Sequence, residues 1–174
     1  GFLIYAKFIS FFPQLIAGPI VLYREVGKQL LDLKKHSKSA TQFLIPGFVV
    51  FIFGLFKKVV LADGIAPYAD TSFNNAYTLT FLEAWAGSVC FALQLYFDFS
   101  GYSDMAVGLG LMFGIVLPLN FDTPFRACSM IDFWKRWHIT MTRFFMMYIY
   151  SPIALSFSRY INNVTNSKNV NFFY

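Results

Sequence analysis

Two groups of residues in this sequence could do chemistry. The first is Asp98-Phe99-Ser100-Gly101-Tyr102-Ser103-Asp104, carboxylates and hydroxyls set between apolar flanks. On a helix, Asp98 and Tyr102 share one face and Ser100 and Asp104 another. Ionisable groups in apolar surroundings either pair with a base or serve a site. Three readings therefore stand: a structural polar network, the lining of a site, or an ion site. The second group runs from Asp132 through Trp134, Lys135, Arg136, Trp137 and His138 to Arg143. On a helix Asp132 and Arg136 form an i,i+4 pair in the favourable order. Trp134, Trp137, His138 and Met141 then share another face. Lys135, Arg136 and low-dielectric surroundings all disfavour a further positive charge, which keeps the His138 imidazole neutral near pH 7. A neutral imidazole can take a proton from a hydroxyl, as a general base must. A hydrogen-bonded packing role for His138, and an interfacial aromatic belt for the tryptophans, stand beside that reading. His36, in Lys34-Lys35-His36-Ser37-Lys38, reads as a solvated loop residue.

The sequence holds no phosphate-binding glycine loop, dinucleotide fingerprint, paired-cysteine motif or nucleophile elbow. Its two histidines have no carboxylates at metal-ligand spacing. No metal site and no bound cofactor is expected. Cys90 and Cys128 read as small buried residues.

The elements that must hold these groups are strongly apolar. Of 174 residues, 57% are hydrophobic and only 13% charged, against roughly 25% charged in soluble chains. So few charges cannot cover a soluble core. The composition argues against disorder, a nucleic-acid-binding basic face and a disulfide-stapled secreted module. It points to a membrane protein with lipid as a partner. The bases are segregated: residues 23–42 hold Arg24, Lys28, Lys34, Lys35 and Lys38, residues 63–80 hold none, and residues 126–143 hold Arg126, Lys135, Arg136 and Arg143. The positive-inside rule places the first and last of these on the cytoplasmic side and 63–80 outside.

Five uncharged stretches are Phe8–Tyr23, Phe43–Phe56, Ala84–Phe97, Met105–Phe121 and Phe144–Ser158. Each is shorter than the roughly 20 residues of a simple span. The expected fold is all-α, a polytopic bundle with broken, tilted or re-entrant helices. Pro13 should kink or break the first stretch. Phe43–Ala62 is the best span if Lys57 and Lys58 snorkel or face protein. Phe81–Phe121 has room for two helices, and Gly108, Gly110 and Gly114 allow close helix approach. Ser129 reads as an N-cap with Asp132 three residues on, for a helix from Met130 to Tyr150 that ends or bends at Ser151-Pro152. Ile161–Asn171 reads as a polar loop, with a weak glycosylation pattern at Asn163-Val164-Thr165. The chain opens and stops without a leader or tail, which reads as an internal piece of a longer protein.

Four of these segments carry a resemblance. Phe12-Pro13-Gln14-Leu15-Ile16-Ala17-Gly18-Pro19-Ile20, Gly54-Leu55-Phe56-Lys57-Lys58, Tyr96 to Ala106, and Asp132 to Thr140 resemble the membrane-bound O-acyltransferase family, in the family's order. They are most similar to its bacterial branch that acetylates alginate and other exported polysaccharides. The resemblance implies that residues 1–174 are an internal part of one such domain, a multi-pass bundle in the bacterial inner membrane around a tunnel. It implies an acyl-thioester donor, acetyl-coenzyme A or a carrier-bound acyl group, and a hydroxyl acceptor on the exported polymer, with periplasmic partner proteins. Asp98, Ser100, Tyr102, Asp104, Trp134, Arg136 and Trp137 are then expected to line the tunnel or position donor and acceptor. His138 matches the family's accessory motif histidine; the histidine usually assigned as base lies further along, past Tyr174. The 174 residues alone are accordingly expected to show no transferase activity. The chain departs from the pattern at Met146-Met147, where relatives carry Arg-Asp, and at Ser151-Pro152-Ile153-Ala154. The alternative reading is a non-enzymatic transporter or membrane scaffold, with Lys57, Lys58, Asp98 and Asp104 lining a pathway.

Overall fold

Long apolar runs with few helix breakers favour helices, and a computed structural model, which describes residues 2–15, 18–32 and 40–167, shows helices and no strand among them. Helix α1 (Phe2–Ser10) stops before Pro13, which sits in a single 3₁₀ turn, Phe12–Gln14. The first apolar stretch is therefore broken at its proline. The chain then runs extended to α2 (Tyr23–Asp32). The basic run around His36 lies outside the described residues.

The dominant element is a long helix in three parts: α3 (Ala40–Phe56), a π-helical stretch (Lys57–Ala62) and α4 (Asp63–Asn74). Its portion Gln42–Asn74, 33 residues, is the one helix among the described residues both long and apolar enough to cross a membrane. A short turn leads to α5 (Phe81–Met112), opened by a capping box in which the Thr80 N–H donates to Glu83 Oε2 at 2.8 Å. The stretch expected to hold two helices thus holds one of 32 residues. It ends where Gly114 takes φ 74°, a left-handed turn that costs glycine nothing. Residues 115–121 continue without regular structure.

α5 packs antiparallel along the whole long helix, and glycines set the spacing. A Cβ on Gly54 would lie 2.6 Å from the Gly101 carbonyl oxygen, and one on Gly47 2.7 Å from that of Gly108. The two backbones touch at both places, as close helix packing in an apolar medium requires. Of the three glycines expected to permit such approach, only Gly108 does so. Gly110 instead accommodates the Leu117 side chain of the returning loop.

The small core lies where α2 meets the end of α5. Val26, Leu30, Val107, Ile115 and Leu117 form it. Gln29 secures the returning loop by donating to the Val116 carbonyl at 3.0 Å and accepting its N–H at 2.8 Å. Large apolar side chains elsewhere point outward, among them Ile45, Phe48 and Phe53 of α3, at 71%, 56% and 60% exposure. A surface of that kind suits lipid or further protein rather than water.

The C-terminal part departs from expectation. The predicted helix 130–150 is broken at Trp137-His138 into α6 (Met130–Arg136) and α7 (Ile139–Phe145). It also does not end at Pro152. A second π-helical stretch (Met146–Tyr150) carries it into α8 (Ser151–Ser167). The proline falls at the second residue of α8, directly after the π-helical stretch, and Ser151 Oγ donates to the Met146 carbonyl at 2.6 Å. Residues 161–167, expected as loop, are helical. Cys128 is exposed, not buried, and Cys90 is half-buried.

Candidate active-site hinge

Ser129 starts α6 as expected, its Oγ accepting the Asp132 N–H at 3.1 Å. Asp132 in turn accepts from Arg136 Nε at 3.0 Å, the i,i+4 pair read from the sequence. Arg136 also reaches the Asp122 carboxylate at 3.6 Å, while the Asp122 N–H donates to the Arg136 carbonyl. The Arg136 hydrogen bond is the main reason that Asp132 ionises below its usual 3.8. A depressed carboxyl stabilises the fold above its ordinary value, and that contribution is lost as pH falls through the lowered one. A carbon-13 titration of the full-length protein should give Asp132 a midpoint below 3.8. In Arg136→Met it should move back up; an unmoved midpoint would remove Arg136 as the cause.

The helix cannot continue past Arg136 because His138 takes φ 46°, ψ 55°. Only Thr123 shares that left-handed conformation among the described non-glycine residues. Such backbone costs on the order of 1–3 kcal/mol and persists only where the surroundings over-determine it. The face joining Trp134, Trp137, His138 and Met141 therefore does not form. His138 lies instead edge-on to Phe99 at 4.7 Å between ring centres and stacks on Phe121 at 6.5 Å. Trp137 packs against Phe121, Phe133 and Tyr96. Trp134 is about half exposed, meets Phe133, and its carbonyl accepts from Thr142.

Burial pushes the His138 imidazole below its usual 6.5. The neutral imidazole expected from sequence is thus favoured, through desolvation and not through the neighbouring bases. Apart from its own main chain, the buried Nδ1 finds no partner among the described residues.

What over-determines the hinge is a polar chain that the sequence reading missed. Asn120, 2% exposed, accepts the Ile139 N–H on its carbonyl at 2.9 Å. Its side-chain Oδ1 accepts the Thr140 hydroxyl at 2.6 Å, and its Nδ2 donates to Ser103 Oγ at 3.1 Å. Thr140 Oγ1 also accepts the Ile20 N–H at 3.0 Å. Nearby, Arg143 grips Glu25 with two nitrogens, at 2.8 and 3.0 Å, and the Ile20 carbonyl at 3.3 Å. The N-terminal motif, the end of α5 and the hinge are joined by these bonds. One signal was available: Asn120 is the lone polar residue between Gly114 and Phe121.

The first cluster resolves differently. Lys57 pairs with Asp104 at 2.6 Å, and Lys58 with Asp98 at 2.6 Å and Asp63 at 2.7 Å. Both carboxylates thus answer the lysine pair of the π-helical stretch across the glycine seam, through ion pairs that do not include His138. Ser100 is buried with its Oγ unpartnered among the described residues. Tyr102 borders an apolar cavity of about 160 Å³ together with Phe12, Pro13 and Phe51. The side chains of Lys57 and Asp104 are 19% and 28% exposed. Removing one partner should therefore cost about 1–3 kcal/mol, less than the 3–5 of a fully buried pair. The exchange Lys57→Asp with Asp104→Lys should recover part of that loss in detergent melting; a double variant no better than the singles would argue against the pairing.

The comparisons agree with the motifs. Residues 1–166 match the membrane-bound O-acyltransferase family. A peptidoglycan O-acetyltransferase of Helicobacter pylori is 51% identical over 153 residues, covering 88% of this chain and 29% of that protein. The probable alginate O-acetylase AlgI of Azotobacter vinelandii is 42% identical over 150 residues, covering 86% of this chain and 29% of that protein. A teichoic acid D-alanyltransferase of Bacillus subtilis is 28% identical over 169 residues, 95% of this chain and 42% of that protein. The chain thus spans less than a third of the length of the two more similar relatives. With the family match covering nearly every residue, from the Phe12-Pro13 turn to the His138 hinge and beyond, this chain belongs to the membrane-bound O-acyltransferase family.

Proposed function

We propose that the full-length protein transfers an acyl group, acetyl, from a thioester donor to hydroxyls of an exported cell-envelope polysaccharide such as alginate or peptidoglycan. The observation that carries the reading is the 51% identity to a protein named as an O-acetyltransferase, over a stretch that includes the hinge. In the reaction the acceptor oxygen attacks the thioester carbonyl, the carbon–sulfur bond breaks, and the hydroxyl proton ends on the departing thiol. The family resemblance gives the proton-taking role to a histidine past Tyr174. His138, neutral and held at a strained turn, then positions the donor or acceptor beside it. Trp137 and Phe121 wall the hinge on the apolar side.

The same reading makes the protein multi-pass in the bacterial inner membrane. The long helix and α5 form an antiparallel pair, and the positive-inside rule applied to the bases of 23–42 and 126–143 supports a cytoplasmic side for its open end and an outer side for its base-free turn. A tunnel, and periplasmic partners that complete the transfer, belong to the proposal as well. The transporter alternative loses its motive, since Lys57, Lys58, Asp98 and Asp104 are engaged with one another.

The test is to delete the gene, restore the full-length copy, and measure base-labile esters on peptidoglycan and on exported polysaccharide by mass spectrometry. Acetate lost from one polymer and restored on complementation is the expected result. D-alanyl esters lost instead would change the acyl group, and unchanged esters on every envelope polymer would overturn the proposal.

A further inference from the structure

We propose that Asn120 is the positioning residue for His138, a buried amide that fixes the left-handed hinge and thereby seats the imidazole on Phe99. The proposal deepens the acyl-transfer reading and rests on it for its functional consequence.

The residue that forces a helix to break is normally a glycine or proline, and neither stands near His138. The conformation must be imposed from outside. The two residues after His138 supply the means. The Ile139 N–H goes to the Asn120 carbonyl at 2.9 Å and the Thr140 hydroxyl to Asn120 Oδ1 at 2.6 Å. The Thr140 N–H points to the same Oδ1 at 3.4 Å. The start of α7 is thus capped by Asn120 rather than by its own N-cap residue, His138, whose side chain makes no cap bond. That frees the imidazole from the duty a cap residue usually has.

The other end of the amide fixes where the hinge sits. Asn120 Nδ2 donates to Ser103 at 3.1 Å, and Ser103 lies one helical turn beyond Phe99 on α5. Phe99 is the ring that His138 meets edge-on at 4.7 Å. Phe121, the chain neighbour of Asn120, contacts both Phe99 at 5.1 Å and His138 at 6.5 Å. One side chain therefore ties the backbone on which His138 is carried to the helix against which it packs. Asn120, Ser103 and Thr140 are all within 2% of full burial, so water cannot replace a lost bond without opening the hinge.

The experiment uses the full-length protein in lipid nanodiscs, labelled with carbon-13 at histidine Cε1, the His138 resonance assigned by its loss in His138→Gln. Packing edge-on to Phe99 gives that resonance a ring-current displacement from free histidine. Asn120→Ala should abolish the displacement, and Thr140→Val should do so while Thr140→Ser leaves it in place. Phe91→Ala, which loosens the far end of α5 at its contact with Phe73, should leave it unmoved and so controls for general destabilisation. In cells, envelope ester content should fall between about ten- and a hundredfold with Asn120→Ala or Thr140→Val, as misplacement by an ångström does. If Asn120→Ala does not accumulate, Thr140→Val and Ser103→Ala carry the test. A resonance that stays in place in these variants overturns the proposal, whatever the esters do. A resonance that moves while esters persist leaves Asn120 as the clamp and removes His138 from acyl transfer.

Discussion

Gly101→Leu is expected to leave little folded full-length protein in the membrane. Even the first atom of a side chain there would lie 2.7 Å from the Gly54 carbonyl oxygen and 3.0 Å from the Lys58 nitrogen. Both are backbone atoms of a helix and cannot swing aside. The helices must separate, and separation opens the Gly47–Gly108 contact and stretches both lysine–aspartate pairs together. Overpacking alone costs about 1–3 kcal/mol, and loss of the seam adds to it, against a total stability of only about 5–15 kcal/mol. Gly64 provides the contrast, since nothing lies within 4 Å of a Cβ there. Gly64→Ala should be neutral or stabilise by up to about 1 kcal/mol. Melting in detergent, followed by tryptophan fluorescence, compares the two. Equal midpoints would show that the seam is not as tight as described.

His138→Ala is expected to lower acyl transfer by the full-length protein about a hundredfold, the lower end of what a proton-handling or positioning group contributes. Alanine removes the imidazole but keeps the strained backbone. His138→Gly removes both, because glycine adopts φ 46° without a Cβ penalty, worth about 1–2 kcal/mol. The glycine variant, which like alanine loses the ring contacts with Phe99 and Phe121, should therefore be more stable than the alanine variant and no more active. That pattern separates a functional histidine from a structural one. Unchanged esters in either variant would exclude His138 from the site. A glycine variant less stable than the alanine variant would mean that the turn carries no strain.

The elements that were legible from the residues are those built from short-range physics. Ser129 as N-cap and Asp132 with Arg136 depend on neighbours three and four apart, and both stand. Asp98 and Asp104, and Lys57 and Lys58, were each recognisable as costly charges needing partners. That they would answer one another depended on antiparallel packing across 40 and 47 residues, which no local pattern encodes. The break at His138 was not legible because its cause lies in Asn120, eighteen residues upstream, and not in a glycine or proline. The same holds for Glu25, whose partner Arg143 comes 118 residues later. The continuation through Pro152 was hidden for a different reason. The helix widens to π spacing just before the proline, and the sequence signal for that widening is faint.

The glycine seam also has a consequence for the order of assembly. The long helix and α5 are consecutive in the chain and joined by a turn of a few residues, so their contacts close a short loop. The bonds from Ile20 to Thr140 and from Glu25 to Arg143 close loops of 120 and 118 residues. Short loops close at less entropic cost and sooner. During synthesis the hairpin of residues 40–112 can therefore settle as a unit before the hinge segment has left the ribosome, and the N-terminal turn with Pro13 and Ile20 must wait beside it. The site would be the last part of this region to form, its geometry set by a scaffold already in place.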